Sequence, residues 1–179
     1  MAALEITQKC RSCGENHSFS FNGIINVAGN PELRERVASG DYFTWECPCC
    51  GARNLVASQT CLYHDAEEKL IIVLAPAGLK MEQLPQGYTC RLVDSVGQLM
   101  EKVKIFSAGL DDVIVELCKY ITRGELTFTY PQDGDMQMLV VGFNVYEDCA
   151  GIVSRSPEIR SAASGPVRVD KEWIGQFFA

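Results

Sequence analysis

Cysteine recurs in two tight pairs near the front of the 179-residue chain, Cys10-Arg11-Ser12-Cys13-Gly14 and Cys47-Pro48-Cys49-Cys50-Gly51. Two thiolates separated by two residues can reach one zinc ion, each sulfur about 2.3 Å from the metal. Two such pairs complete a closed tetrahedral site and leave no position for water or substrate. Glycine after each pair suits the positive φ that a knuckle adopts just past its second cysteine. Pro48 fixes φ at the first corner of its turn and removes a donor that would need a partner. The spacing therefore predicts Cys10, Cys13, Cys47 and Cys50 as metal ligands, with zinc as the cofactor. Cys49 falls between the knuckle positions, where its side chain should project away from the metal. His17 and His64 could each replace a cysteine, although an isolated histidine is more often a surface or turn residue.

Three rival chemistries compete for these residues. A disulfide framework fits poorly: nine cysteines is an odd number, and residues 1–9 lack the apolar core of a secretory signal. A reducing cytoplasm is the expected location. Redox catalysis at Cys47-Pro48-Cys49-Cys50 would need a strand before the motif and a helix after it to depress the thiol pKa. Instead, the β-prone Leu55-Val56-Ala57 follows. The remaining reading, small core residues, suits Cys61, Cys90, Cys118 and Cys149, which lie in periodic segments.

Composition supplies a real core and an acidic surface. Hydrophobic residues make up 47% of the chain and charged residues 22%, the range of a folded globule rather than a disordered chain. The net charge of −7 is spread evenly, with no Lys/Arg cluster to grip a phosphate backbone. Only Lys9, Arg11 and Arg53 flank the cysteine pairs, so nucleic acid is not the expected partner. The longest apolar run, Leu70-Ile71-Ile72-Val73-Leu74-Ala75, has the length of a strand and not of a membrane span.

The elements that must position the cysteines follow from local patterns. Ser18-Phe19-Ser20-Phe21 alternates as a half-exposed strand does, and Ile24-Ile25-Asn26-Val27 continues in β-type residues. Asn22-Gly23 between them reads as a tight hairpin turn or a bulge. Asn30 caps a short helix with Pro31 in its first position and a stop near Gly40. Tyr42-Phe43-Thr44-Trp45 should return as the strand delivering Cys47.

Residues 52–62 and 69–75 read as antiparallel strands joined by a polar turn over 63–68. A loop-like stretch over 76–87 suggests a division of the chain there. A strand at Arg91-Leu92-Val93 precedes a capping-box helix, with Ser95 and Gln98 as the box. Leu110, Val113, Ile114, Leu117 and Ile121 form one helical stripe ended by Gly124. A hairpin is expected over 126–130 and 138–145, a surface loop over 147–168, and a closing helix over 171–178 capped by Asp170.

The overall expectation is an α+β fold: a zinc-ribbon-like knuckle pair inserted in a mostly antiparallel sheet, with two or three packed helices. Residues 1–78 would form a zinc-knuckle β domain with a short helix, and residues 79–179 an α+β portion packed with it as one globular unit.

Together, the two cysteine pairs, Ile25-Asn26-Val27 with Pro31-Glu32-Leu33, and Leu62-Tyr63-His64-Asp65 before an apolar strand resemble the bacterial and archaeal CpXC-domain family. The resemblance spans roughly residues 5–125. One departure is visible, because the first pair lacks the proline that names the motif. The resemblance implies a metal site and brings no substrate with it.

A closed four-thiolate site points to a non-catalytic, zinc-stabilised module that acts through a protein partner or self-association. Two alternatives stand beside it. One is a redox sensor that loses zinc on thiolate oxidation, with Cys49 as the extra thiol. The other is an enzyme using Tyr63-His64-Asp65 as an acid–base corner.

Overall fold

The alternation of apolar and polar residues at the amino terminus builds a hairpin, β1 (Leu4–Lys9) and β2 (Asn16–Phe21), in which Ile6 and Phe21 turn inward. The strands pair antiparallel, Leu4 opposite Phe21 and Lys9 opposite Asn16, so the first cysteine pair forms the connecting tip. In this computed structural model the described residues are 3–56, 60–75, 85–122 and 141–178.

Asn22-Gly23 makes neither a hairpin turn nor a bulge. The chain leaves the first sheet there, and β3 (Ile24–Asn26) joins a different sheet. The corner is held by Asn22, whose side-chain oxygen accepts from the Ile24 N–H at 3.0 Å and whose carbonyl accepts from the Tyr42 hydroxyl at 2.7 Å.

Helix α1 (Pro31–Ser39) follows with the caps its sequence calls for: Asn30 Oδ1 accepts from the Leu33 N–H at 3.0 Å, and Gly40 ends it at φ +89°. Gly40 also opens a 3₁₀ turn over Asp41–Phe43, so the returning strand β4 (Thr44–Glu46) begins two residues later than the pattern suggests. Strand β4 pairs antiparallel with β5 (Arg53–Leu55), placing the second cysteine pair at the tip of a second small hairpin.

The segment expected as one strand over 52–62 is two strands in two sheets. Beyond β5 the chain enters β6 (Cys61–Asp65), then β7 (Leu70–Leu74) and β8 (Thr89–Val93). The sheet order is β3-β6-β7-β8. Its central pair, β6 and β7, is antiparallel, while β3 on β6 and β8 on β7 are parallel. Every residue of β7 is buried, with Ile71 and Val73 on one face clustering with Ala75 and Cys90. That two-sided burial explains the unbroken apolar run.

Helix α2 (Val96–Ser107) then starts at the capping box, the Gln98 N–H donating to Ser95 Oγ at 3.2 Å. Two units emerge, Met1–Val103 and Lys104–Ala179. The boundary falls within α2 rather than near residue 78, because β8 completes the sheet that β7 begins.

The second unit is helical in its described residues. Helix α3 (Asp112–Ile121) is capped by Asp111, whose Oδ1 accepts from the Val113 N–H at 2.9 Å. Val113, Ile114 and Leu117 are buried, whereas Ile121 is exposed. Helix α4 (Val141–Ser154) corrects two expectations. Residues 141–145 are helical rather than strand, and the surface loop over 147–168 is largely helix. The stretch 126–130, the first part of the second hairpin strand and Gly124 lie outside the described residues.

Helix α5 (Pro157–Ala162) starts with proline after Ser156, and α6 (Lys171–Gly175) is capped by Asp170, whose Oδ1 accepts from the Trp173 N–H at 2.8 Å. Cys149, Val153, Ile159, Ala163 and Ile174 join α3 in one core. Of the Ser/Ala/Gly-rich stretch that suggested a loop, Ala150 and Ala163 pack with this core. The α+β class stands: among the described residues there are three antiparallel pairings, two parallel ones and six α-helices.

Candidate metal centre

The two cysteine pairs fold as matching turns. In the first, the Cys10 N–H donates to the Glu15 carbonyl at 2.8 Å and the Gly14 N–H to the Cys10 carbonyl at 3.0 Å. In the second, the Cys47 N–H donates to the Ala52 carbonyl at 2.9 Å and the Gly51 N–H to the Cys47 carbonyl at 2.8 Å. Gly14 and Gly51 take φ of +79° and +69°. A side chain at either position would strain the backbone and open the turn that directs the sulfurs.

The turns bring four sulfurs together. Those of Cys10, Cys13, Cys47 and Cys50 all lie within 4.8 Å of one another. Cys10 Sγ is 3.7 Å from Cys50 Sγ, and Cys13 Sγ is 3.6 Å from Cys47 Sγ. A regular tetrahedron with bonds of about 2.3 Å has edges of about 3.8 Å, so the spacing fits one thiolate-bound ion. The group could hold a metal.

Its two halves differ in exposure: Cys10 and Cys47 are buried, Cys13 and Cys50 exposed. Cys49 is exposed and lies outside the group of four. All nine cysteines are free thiols.

Without a cation, four adjacent thiols cannot all ionise. The Cys10 thiol is lowered to about 6: the Cys13 backbone N–H dominates, burial opposes it, and the Ser12 N–H and the Asn54 amide assist. Cys13 titrates late, pushed up to about 12. The Glu15 backbone N–H lowers it, but desolvation and the thiols of Cys47, Cys10 and Cys50 outweigh that contribution. A divalent cation reverses this penalty by replacing protons on all four.

The two histidines part company. His17 Nε2 stands 3.4 Å from Cys47 Sγ, with its ring beside Trp45, and so borders the cluster without belonging to it. His64 belongs to the four-stranded sheet, stacked on Tyr88 at a ring separation of 5.6 Å.

Strand parity also separates the members of the Tyr63-His64-Asp65 corner. Tyr63 and Asp65 share one face of β6, and His64 points to the other. Asp65, 1% exposed, accepts from Arg34 Nε at 2.8 Å, the Tyr63 hydroxyl at 3.3 Å and the Glu67 and Glu68 N–H groups. Arg34 Nη2 also donates to Glu67 Oε2 at 2.9 Å. This network fastens α1 to the sheet, and burial pushes the Tyr63 phenol up so that it remains a donor.

One residue of the site has no signal in the sequence. Asn54, buried on β5, accepts from the Arg11 N–H at 2.9 Å and donates to the Ala52 carbonyl at 2.8 Å and to Cys10 Sγ at 3.5 Å. A lone asparagine in a short polar strand looks like any surface residue until both hairpins are placed.

The model of the CpXC protein family matches residues 8–119, more than half of the chain. The chain belongs to the CpXC family. Neither the curated proteins nor the solved structures offer a match. The CpXC match takes in both cysteine pairs, the whole four-stranded sheet and most of α3, so the family signature and the sulfur cluster coincide. Among the described residues, no helix is long and apolar enough to cross a membrane.

Proposed function

We propose that this CpXC protein is a non-catalytic, zinc-stabilised module of the cytoplasm that works by contact with a protein partner or a second copy of itself. The reading rests on one observation, the convergence of four cysteine sulfurs within 4.8 Å. Thiolate is the ligand that zinc favours in closed structural sites, and four thiolates leave no open position for Lewis-acid chemistry.

A reducing compartment suits nine free thiols. Arg53 is engaged by Asp41 at 2.6 Å, which weakens the basic flank a nucleic acid would need. Leu4, Ile24 and Leu55 are exposed apolar residues on the cysteine-bearing unit and favour contact with another protein.

The alternatives draw less support. An acid–base dyad of His64 with Asp65 would need both on one face of β6. For a redox sensor, Cys49 has the exposure, but desolvation and the neighbouring Cys47 raise its thiol pKa and blunt its reactivity at neutral pH.

Native mass spectrometry of the purified chain should find one zinc per molecule. A metal-free chain that keeps its full fold overturns the proposal.

A further inference from the structure

The two hairpins could carry their cysteines into one cluster and still hold the sulfurs loosely, unless something sets one knuckle against the other. Asn54 spans that gap. Its amide is oriented without ambiguity, because the Arg11 N–H requires an acceptor at Oδ1 and the Ala52 carbonyl requires a donor at Nδ2. The same Nδ2 reaches Cys10 Sγ at 3.5 Å, and the Ser12 N–H reaches that sulfur at 3.4 Å. Asn54 is 4% exposed, so water does not compete for these bonds. Its strand neighbour is Trp45, directly across the β4–β5 pair.

We infer that Asn54 is a positioning residue of the metal centre: from the second hairpin it fixes the first knuckle and donates an N–H to the Cys10 sulfur, tightening metal retention. The inference rests on the metal-binding reading above and adds a residue to it. A thiolate that accepts a hydrogen bond carries less charge, which relieves repulsion among four sulfurs around a divalent ion. Outer groups of this kind typically change metal affinity 10–100-fold.

Two variants of the full chain separate the two contacts. Asn54→Ala removes both, together with the bond to the Ala52 carbonyl. Asn54→Asp keeps an acceptor for the Arg11 N–H but replaces the donor near the sulfur with a negative charge. Zinc affinity is read by competition with a chelator. Cobalt(II), substituted for zinc, reports sulfur charge through its sulfur-to-metal absorption band. Trp45 emission checks folding at saturating zinc.

Both variants should bind zinc 10–100-fold more weakly. The cobalt band should move to longer wavelength in both, further in the aspartate chain. If the aspartate chain matches the parent, or both variants do, the donor role is overturned while the metal site stands. Loss of the fold in both variants at saturating zinc overturns it too, since Asn54 would then be required for assembly itself. A parent chain that takes up neither metal overturns the site and this inference together.

Discussion

If the four-cysteine site holds zinc, the stability of the first unit becomes a function of free zinc. Its cysteine-bearing hairpins are small: β1–β2 has six pairings and β4–β5 has three. Isolated two-stranded hairpins are marginal at best in water. If the metal holds them, a site at a thousandfold excess of free zinc over its dissociation constant gains about 4 kcal/mol. For a unit of roughly 100 residues, each kcal/mol moves the midpoint by about 4–8 °C, so the expected rise is about 15–30 °C.

The assay is thermal melting in zinc-buffered solutions, followed through Trp45. That indole is 8% exposed and stacks on Phe19 at 5.1 Å, between the two hairpins. A Trp173→Phe background removes the other tryptophan, which lies in the second unit. A midpoint that stays constant across three decades of buffered zinc would falsify the claim that the ion holds these hairpins together.

Arg34→Ala should cost about 3 kcal/mol in urea unfolding, because it strands the buried Asp65 carboxylate with only its hydroxyl and backbone donors; a loss below about 1 kcal/mol would show the clamp to be incidental. The Arg34 hydrogen bond also lowers the Glu67 carboxyl below its ordinary 4.5, so the stability it adds is complete above that value and lost as pH falls through the folded one. Acid titrations of the parent should show that loss, and those of Arg34→Ala a smaller one, because the Gly29 N–H still donates to Glu67. Gly14→Ala should cost about 1 kcal/mol, read as roughly fivefold weaker zinc binding; an added Cβ meets only Lys9 Cε at 3.6 Å, so the penalty is the backbone φ alone. His17→Ala and Cys49→Ser should each keep one zinc per chain and the cobalt absorption of four sulfurs, and a lost ligand in either spectrum would reassign the site.

What the sequence made legible was local. A knuckle is set by two cysteines, a turn and a glycine within five residues, and α1 by Asn30, Pro31 and Gly40 at its ends. Alternation identified the strands but could not assign them to sheets: residues 53–55 and 61–65 look alike in pattern, yet pair with different partners. Composition misled where small residues serve packing, as at Cys149 and Ala163 among the helices of the second unit. Residues 63–65 read as part of a polar turn; their place in β6 is what puts His64 and Asp65 on opposite faces. No local rule could have found Asn54, whose role depends on a hairpin tip 43 residues away.

One chain threads alternately through the two cysteine-bearing hairpins and the four-stranded sheet of the first unit, and this would give a bound ion its leverage. Residues 4–21 and 44–55 build the cysteine-bearing hairpins, whereas 24–26, 61–65, 70–74 and 89–93 build the four-stranded sheet. The excursion between the cysteine pairs is therefore tied to the four-stranded sheet through β3, and to the Arg34–Asp65 contact through α1. An ion joining Cys13 to Cys47 closes a loop of 34 residues around that excursion. In the chain-entropy description, a cross-link of that span restricts the unfolded chain by about 3–4 kcal/mol. Such an ion would stabilise more than the two tips it touches: its release would free the hairpins and also relax the segment that carries β3 and α1 onto the sheet.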